Sequence, residues 1–364
     1  MSTNSIYFKN LNALRFIAAF SVLLAHIELL KSLHGFSNVN DLAFYKNTNG
    51  HIGVILFFVL SGFLITFLLL KEESEHKTIS LKNFYIRRIL RIWPLYFLMV
   101  LISYSVYLIF GSNFAEGGWW GYFSIFPNVS KALGYYYDGV VHLWSIGVEE
   151  QFYLIWPLLL LLTKKLFKIR LILLILIFLS FSLLPHFLWF TQSHFHFFSE
   201  QSFQFLDRFT KMFKINCMAL GGIVGYLVFI KKRFNLLENR FSRKVVFFTP
   251  FVMWYLGVHF SNFTDEIYTL LFGLILYCFA TYDDNINLEK KVLNFLGKIS
   301  YGIYVFHWLI ILFTFKLIAF LKIENNLIIN LVVYIGTIGL TILIAYLSYN
   351  YFEKFFLKLK VKFE

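Results

Sequence analysis

His142–Leu162 reads "HLWSIGVEEQFYLIWPLLLLL". A histidine, a serine and two adjacent glutamates stand at the mouth of a run that then stays apolar. Twenty-one residues at 1.5 Å per residue cover about 30 Å, the thickness of a bilayer's hydrocarbon core. The stretch therefore reads as a membrane span whose first turns carry chemistry. Taking His142 as zero and about 100° per residue, Ser145 lies near about −60°, Glu149 near −20° and Tyr153 near +20°. These four share a stripe, and Glu150, near about +80°, stands at its edge. Capping and the helix macrodipole explain one carboxylate at such a mouth. They explain poorly a carboxylate two turns further in.

The rest of the chain repeats the apolar pattern. Hydrophobic types make up 59 % of the 364 residues and charged types only 15 %, against about 25 % in a soluble domain. Spans are predicted over 11–31, 51–70, 92–110, 142–162, 171–190, 215–230, 245–259, 266–281, 299–320 and 327–349. This is an all-α, polytopic membrane protein, one bundle of about ten transmembrane helices, with no internal repeat or linker. The start, "MSTNSIYFKNLNALRFIAAF", has a polar lead and then an apolar run too long for a signal core, so it reads as a retained first helix. A short basic tail follows the last span, and a single domain over 1–364 with no appended soluble domain is expected.

The net charge is +13, but the charges sit in short loops between spans, which argues against nucleic acid as a partner. With ten spans, one side carries roughly three times as many Lys and Arg as the other. By the positive-inside rule that side is cytoplasmic, both termini included, in the cell's inner membrane. The outer connections 111–141 and 191–214 are aromatic-rich, as residues at a membrane interface are. Cys217 and Cys278 lie in apolar stretches and define no disulfide framework or metal site. His142, His194 and His196 with Glu149 repeat no known ligand spacing, so no metal is expected.

Ionisable residues inside a span are functional candidates. Arg15 and His26, eleven residues apart in the first span, face the same way about 16 Å apart along the axis. The alternative is a snorkelling arginine and a packed histidine. In "FYIRRILRIWPLYF" (84–97), Arg87, Arg88 and Arg91 open the third span, Arg87 and Arg91 sharing a face. They are either positive-inside anchors or an anion clamp, since arginine forks suit phosphate. Pro94 is tolerated near a span's start. "FFVLSGFLIT" (57–66) reads as close helix packing through Ser61–Gly62. In "ISYGIYVFHWLI" (299–310), His307 is a supporting candidate. Glu353, beside Lys354, reads as half of a surface ion pair.

Taken in order, "LNALRFIAAFSVLLAHI", "FFVLSGFLIT", "RRILRIWPLY", "HLWSIGVEEQFYLIWP", "SYGIYVFHW" and "SYNYFEKFF" resemble the membrane-bound acyltransferase family 3, over nearly the whole chain. The family includes O-acetyltransferases of bacterial surface polysaccharides, and some members carry a fused soluble esterase-like domain. The resemblance implies acyl-CoA as cytoplasmic donor, with acetyl-CoA foremost and no bound cofactor, and a carbohydrate or glycolipid acceptor met at the membrane lipid. It implies a catalytic role for the residue matching His26 and a part in activity for those matching Arg15, Arg87, Arg88, Arg91, Ser145 and Glu149. His142, Glu150, Tyr153 and His307 are supporting candidates. The expected chemistry is direct transfer, with His26 as general base oriented by Glu149; an acyl-imidazole intermediate is the rival. A proton-coupled transporter or exporter of a small polar or glycan substrate, and a structural scaffold, are the readings from other classes.

Overall fold

The computed structural model describes residues 7–36, 50–110, 117–137, 139–282 and 286–363. Lys46 and part of the outer segment 111–141 lie outside them. The chain runs α1 (Leu11–Leu33), α2 (Gly50–His76), α3 (Leu81–Phe110), α4 (Trp119–Phe123), α5 (Pro127–Ala132), α6 (Trp144–Leu162) and α7 (Phe167–Phe195). It continues through α8 (Glu200–Met212), α9 (Ile215–Phe229), α10 (Arg240–Tyr255), α11 (Thr264–Thr281), α12 (Lys291–Lys298), α13 (Ser300–Phe320), α14 (Asn326–Leu331), α15 (Thr337–Ser348) and α16 (Lys354–Lys360). π-helical turns at Val332–Gly336 and Tyr349–Glu353 join the last three into one rod. Among the described residues there is no strand.

Nine helical stretches among the described residues are long and apolar enough to cross a membrane, so this is a multi-pass membrane protein. The span expected over 245–259 corresponds to α10, only 16 residues long. Its first five residues, "RFSRK", are largely polar. The apolar remainder rises about 16 Å, roughly half a hydrocarbon core.

Apolar side chains point both inward and outward, as they do when lipid replaces water. Leu162, Phe187 and Trp189 are more than half exposed, while α2 is largely buried in the middle. Small residues let α2 and α9 touch. A Cβ on Gly62 would stand 1.9 Å from the Met218 carbonyl oxygen, and one on Gly221 2.2 Å from that of Val59. This is the close packing read from "LSGF". Arg170, at the start of α7, forks onto Glu73 at the end of α2 at 2.6 and 3.0 Å, fixing those two helix ends together.

Candidate active site

A cavity of about 290 Å³ runs between α1, α2, α3, α6 and α13. Arg15, Arg88 and Arg91 line it, as do Ser61, Ser145, Glu149, Tyr153 and Tyr304. The stripe predicted on α6 therefore faces it, with one exception. His142, at the outer end, lies beyond the wall and bonds the Val305 carbonyl through Nε2 at 3.0 Å. Glu150, at the stripe's edge, turns away and accepts from Trp93 Nε1 at 2.8 Å. Ser61 and Tyr153 share a hydrogen bond across the cavity. Ser61 thus serves the site, while its neighbour Gly62 serves packing.

The arginines divide. Arg88 and Arg91 line the cavity; Arg15 joins them from α1, held by Asn12 Oδ1 at 3.2 Å. Arg87, expected to share a face with Arg91, points elsewhere. It donates to Glu72 Oε2 at 2.9 Å and to the Phe363 carbonyl at 2.7 Å. About +40° separates Arg87 from Arg91 and about −60° separates Arg88 from Arg91, so both pairings lie near one face. The carboxylate waiting on α2 decides between them. Pro94 does not mark a span's start: α3 begins at Leu81 and runs on through it.

His26 does not line the cavity. Its Nδ1 lies 2.7 Å from His307 Nε2, with the rings 3° from parallel and their centroids 5.0 Å apart. Trp308 closes on it edge-on at 4.6 Å. The expected partner was Glu149, but Glu149 stands seven residues beyond His142 along α6, about 10 Å deeper towards the arginines. Only the outer end of the stripe reaches the depth of His26.

His307 Nδ1 lies 2.5 Å from the Tyr304 carbonyl oxygen. A carbonyl can only accept, so this nitrogen carries the proton. The Nε2 of a neutral His307 is then an acceptor, and His26 Nδ1 must donate to it. His26 is thereby fixed as the tautomer with its lone pair on Nε2, the atom a general base needs.

Tyr304 belongs to both places. Its hydroxyl lies 2.6 Å from Ser145 Oγ and donates to the His142 carbonyl at 2.8 Å. Its ring lines the cavity, and its own carbonyl holds His307. Sequence reading missed it; the "YVFH" spacing, Tyr304 three residues before His307, was the available signal. His307 thus meets His26 edge to edge and the His142 ring edge to face at 4.7 Å. Among the described residues no three His, Cys, Asp or Glu side chains are placed to hold a metal ion. His194 and His196 are exposed at the end of α7. Glu353 is buried, accepting from Ser348 Oγ at 3.0 Å, rather than paired at the surface.

Beside these helices, Lys131 on α5 places its Nζ 5.1 Å from the centroid of the Trp144 ring. Burial pushes its pKa down to about 8.

The family described as "Acyltransferase domain" (acyltransferase family 3) matches residues 8–349, and this chain belongs to it. Its relatives include the peptidoglycan O-acetyltransferase OatA of Listeria monocytogenes, 28 % identical over 90 % of this chain and 55 % of the relative. A putative O-acetyltransferase of Staphylococcus aureus strain COL is 28 % identical over 98 % of this chain and 58 % of its own length. The putative peptidoglycan O-acetyltransferase YrhL of Bacillus subtilis is 27 % identical over 90 % and 54 %. The chain thus spans little more than half the length of these relatives. No solved structure matches it significantly.

Proposed function

We propose that this protein is an O-acyltransferase of the cytoplasmic membrane. It moves an acetyl or other short acyl group from cytoplasmic acyl-CoA to a hydroxyl of a cell-wall sugar or a lipid-linked sugar intermediate. One observation carries this reading: a single cavity has arginines at one end and, at the other, Ser145 and Tyr304 against the His26–His307 pair. The names of its relatives, peptidoglycan O-acetyltransferases among them, favour a cell-wall sugar as acceptor.

The arginine end suits the donor's phosphates. The extended pantetheine arm then carries the thioester towards Ser145. His26 Nε2 takes the proton of the acceptor hydroxyl while the oxygen bonds to the thioester carbon. The carbonyl electrons move onto oxygen, where the Ser145 hydroxyl can turn to donate. Collapse breaks the carbon–sulfur bond, and the proton held on His26 leaves with the CoA thiolate. His307 fills the orienting place first assigned to Glu149. Glu149 is the one carboxylate among the cavity's lining residues, on a wall it shares with Arg88 and Arg91.

The test is transfer of labelled acetyl from acetyl-CoA to a muropeptide or lipid-linked sugar by purified protein in nanodiscs. Transfer by the wild type that falls by at least about 10² in His26→Ala is expected. Equal transfer by both proteins would sink the mechanism. An acyl group trapped on the protein in the absence of acceptor would replace it with the acyl-imidazole route.

A further inference from the structure

We propose that the C-terminal tail is part of the donor site: Lys360 completes a set of cations around the cavity for the donor's phosphate groups, and Arg87 latches the tail there. The inference rests on the acyl-CoA reading above.

Three observations converge. First, Lys360 lines the cavity together with Arg15, Arg88 and Arg91, and Glu149 is the one acid among the lining residues. Four cations against one carboxylate make an anion site. Second, the tail is fastened rather than draped. Helix α16 packs along α3, and Arg87 reaches from α3 to the Phe363 carbonyl with one nitrogen and to Glu72 on α2 with another. Arg87 is therefore a positioning residue. It cannot turn to the cavity without breaking both bonds, one of them a partly buried ion pair. Third, the π-turn Tyr349–Glu353 precedes α16. Such a turn inserts one residue and rotates the downstream helix by about 100°. The turn thus helps set which face of α16 meets the cavity, where Lys360 lies.

The site also has an unmet need. Arg88 Nε is buried with no hydrogen-bond partner, and its guanidinium lies over the Phe84 and Tyr153 rings at 5.5 and 5.7 Å. A buried charged donor without an acceptor is costly, and a phosphate oxygen is the acceptor that suits it. Phosphate chemistry could come from the donor or from a lipid headgroup. The cavity continues from the cations towards Ser145, where a thioester is needed, and this favours the donor.

The experiment measures equilibrium binding of labelled acetyl-CoA to the full chain in nanodiscs of neutral lipid, and again with anionic lipid added. S-acetylpantetheine, which has no phosphate, is the control ligand. In neutral lipid, Lys360→Gln should weaken acetyl-CoA binding about tenfold, spare S-acetylpantetheine, and be largely rescued by Lys360→Arg. Arg87→Gln should weaken acetyl-CoA binding similarly and speed hydrogen exchange over 354–363. Unchanged acetyl-CoA affinity in Lys360→Gln, or equal weakening for both ligands, overturns the proposal. An effect confined to anionic nanodiscs gives Lys360 to lipid headgroups and overturns it too. Weakened binding in Arg87→Gln with unchanged exchange removes the latch. Failure of the wild type itself to bind acetyl-CoA would instead defeat the donor reading beneath.

Discussion

His26 and His307 lie edge to edge as parallel rings, Nδ1 to Nε2 at 2.7 Å, across 281 residues of sequence. With the Tyr304 carbonyl behind His307, they form a hydrogen-bonded chain; in the proposed mechanism the His307 imidazole takes the place of the carboxylate that orients the base of a catalytic triad. A neutral orienting group fixes the tautomer but offers less charge stabilisation than a carboxylate. His307→Phe removes the acceptor for His26 Nδ1, and kcat should fall by about 10² or more. His307→Gln can accept from His26 through its carbonyl oxygen and donate to Tyr304 through its amide, so it should recover a large part of that loss. Rates for the three proteins, measured with KM, decide the matter: equal losses in Phe and Gln would show that His307 only fills space.

The two adjacent glutamates of α6 should separate sharply. Glu149 lines the cavity beside Arg88 and Arg91, and Glu150 binds Trp93 at 2.8 Å outside it. Glu149→Ala removes the one carboxylate from the arginine-lined wall, so the reacting groups lose a preorganised electrostatic partner, and kcat/KM should fall by about 10² while the fold stays intact. Glu150→Gln keeps an acceptor for Trp93 and should keep activity within about threefold. Glu150→Ala leaves the Trp93 N–H unpaired and should destabilise by about 1–3 kcal/mol. Activity assays paired with thermal unfolding in detergent check all three; an inactive but stable Glu150→Gln would reverse the assignment.

The architecture and one wall of the candidate site were readable because helical phase is a local property. Ser145, Glu149 and Tyr153 line the cavity as their spacing required, and Glu150 falls off the stripe. What phase cannot give is the partner across the bundle. The pairing of His26 with His307 depends on how α1 meets α13. Arg87 and Arg88 are nearly equivalent by angle, and Glu72 on another helix breaks the tie. Lys360 was illegible for a different reason: the sequence showed only a basic tail, and a π-turn resets the helical phase before α16, so phase carried over from the last span does not place it.

Packing between α2 and α9 gives a contrast among glycines. Gly62→Ala drives a methyl to 1.9 Å from a backbone oxygen, and Gly221→Ala to 2.2 Å. Neither neighbour is a flexible side chain, so the helices must separate, at about 1–3 kcal/mol or more. Both variants should lose folded yield and thermal stability. Gly339→Ala meets nothing within 4 Å and should gain about 0.5–1 kcal/mol from helix propensity. Unfolding temperatures for the three, compared in one detergent, test the packing; a tolerated Gly62→Ala would mean the helices are not in contact as described.

Lys131 links stability to pH. Burial beside Trp144 holds its folded pKa at about 8, below an unfolded value of about 10.4. Between those values the unfolded chain binds more protons than the folded one, so stability rises with pH there. The penalty for burying the charge is fully present below about pH 8 and is relieved as pH climbs past it. Lys131→Met, which keeps the length of the stem and removes the charge, should therefore raise Tm at pH 7. The gain should shrink towards pH 10, where the wild-type lysine is already neutral when folded. Thermal unfolding of both proteins across pH 6.5–10 makes the comparison. A gain that stays constant with pH would mean the methionine acts through packing, and a loss at pH 7 would mean the cation's place over Trp144 outweighs its desolvation.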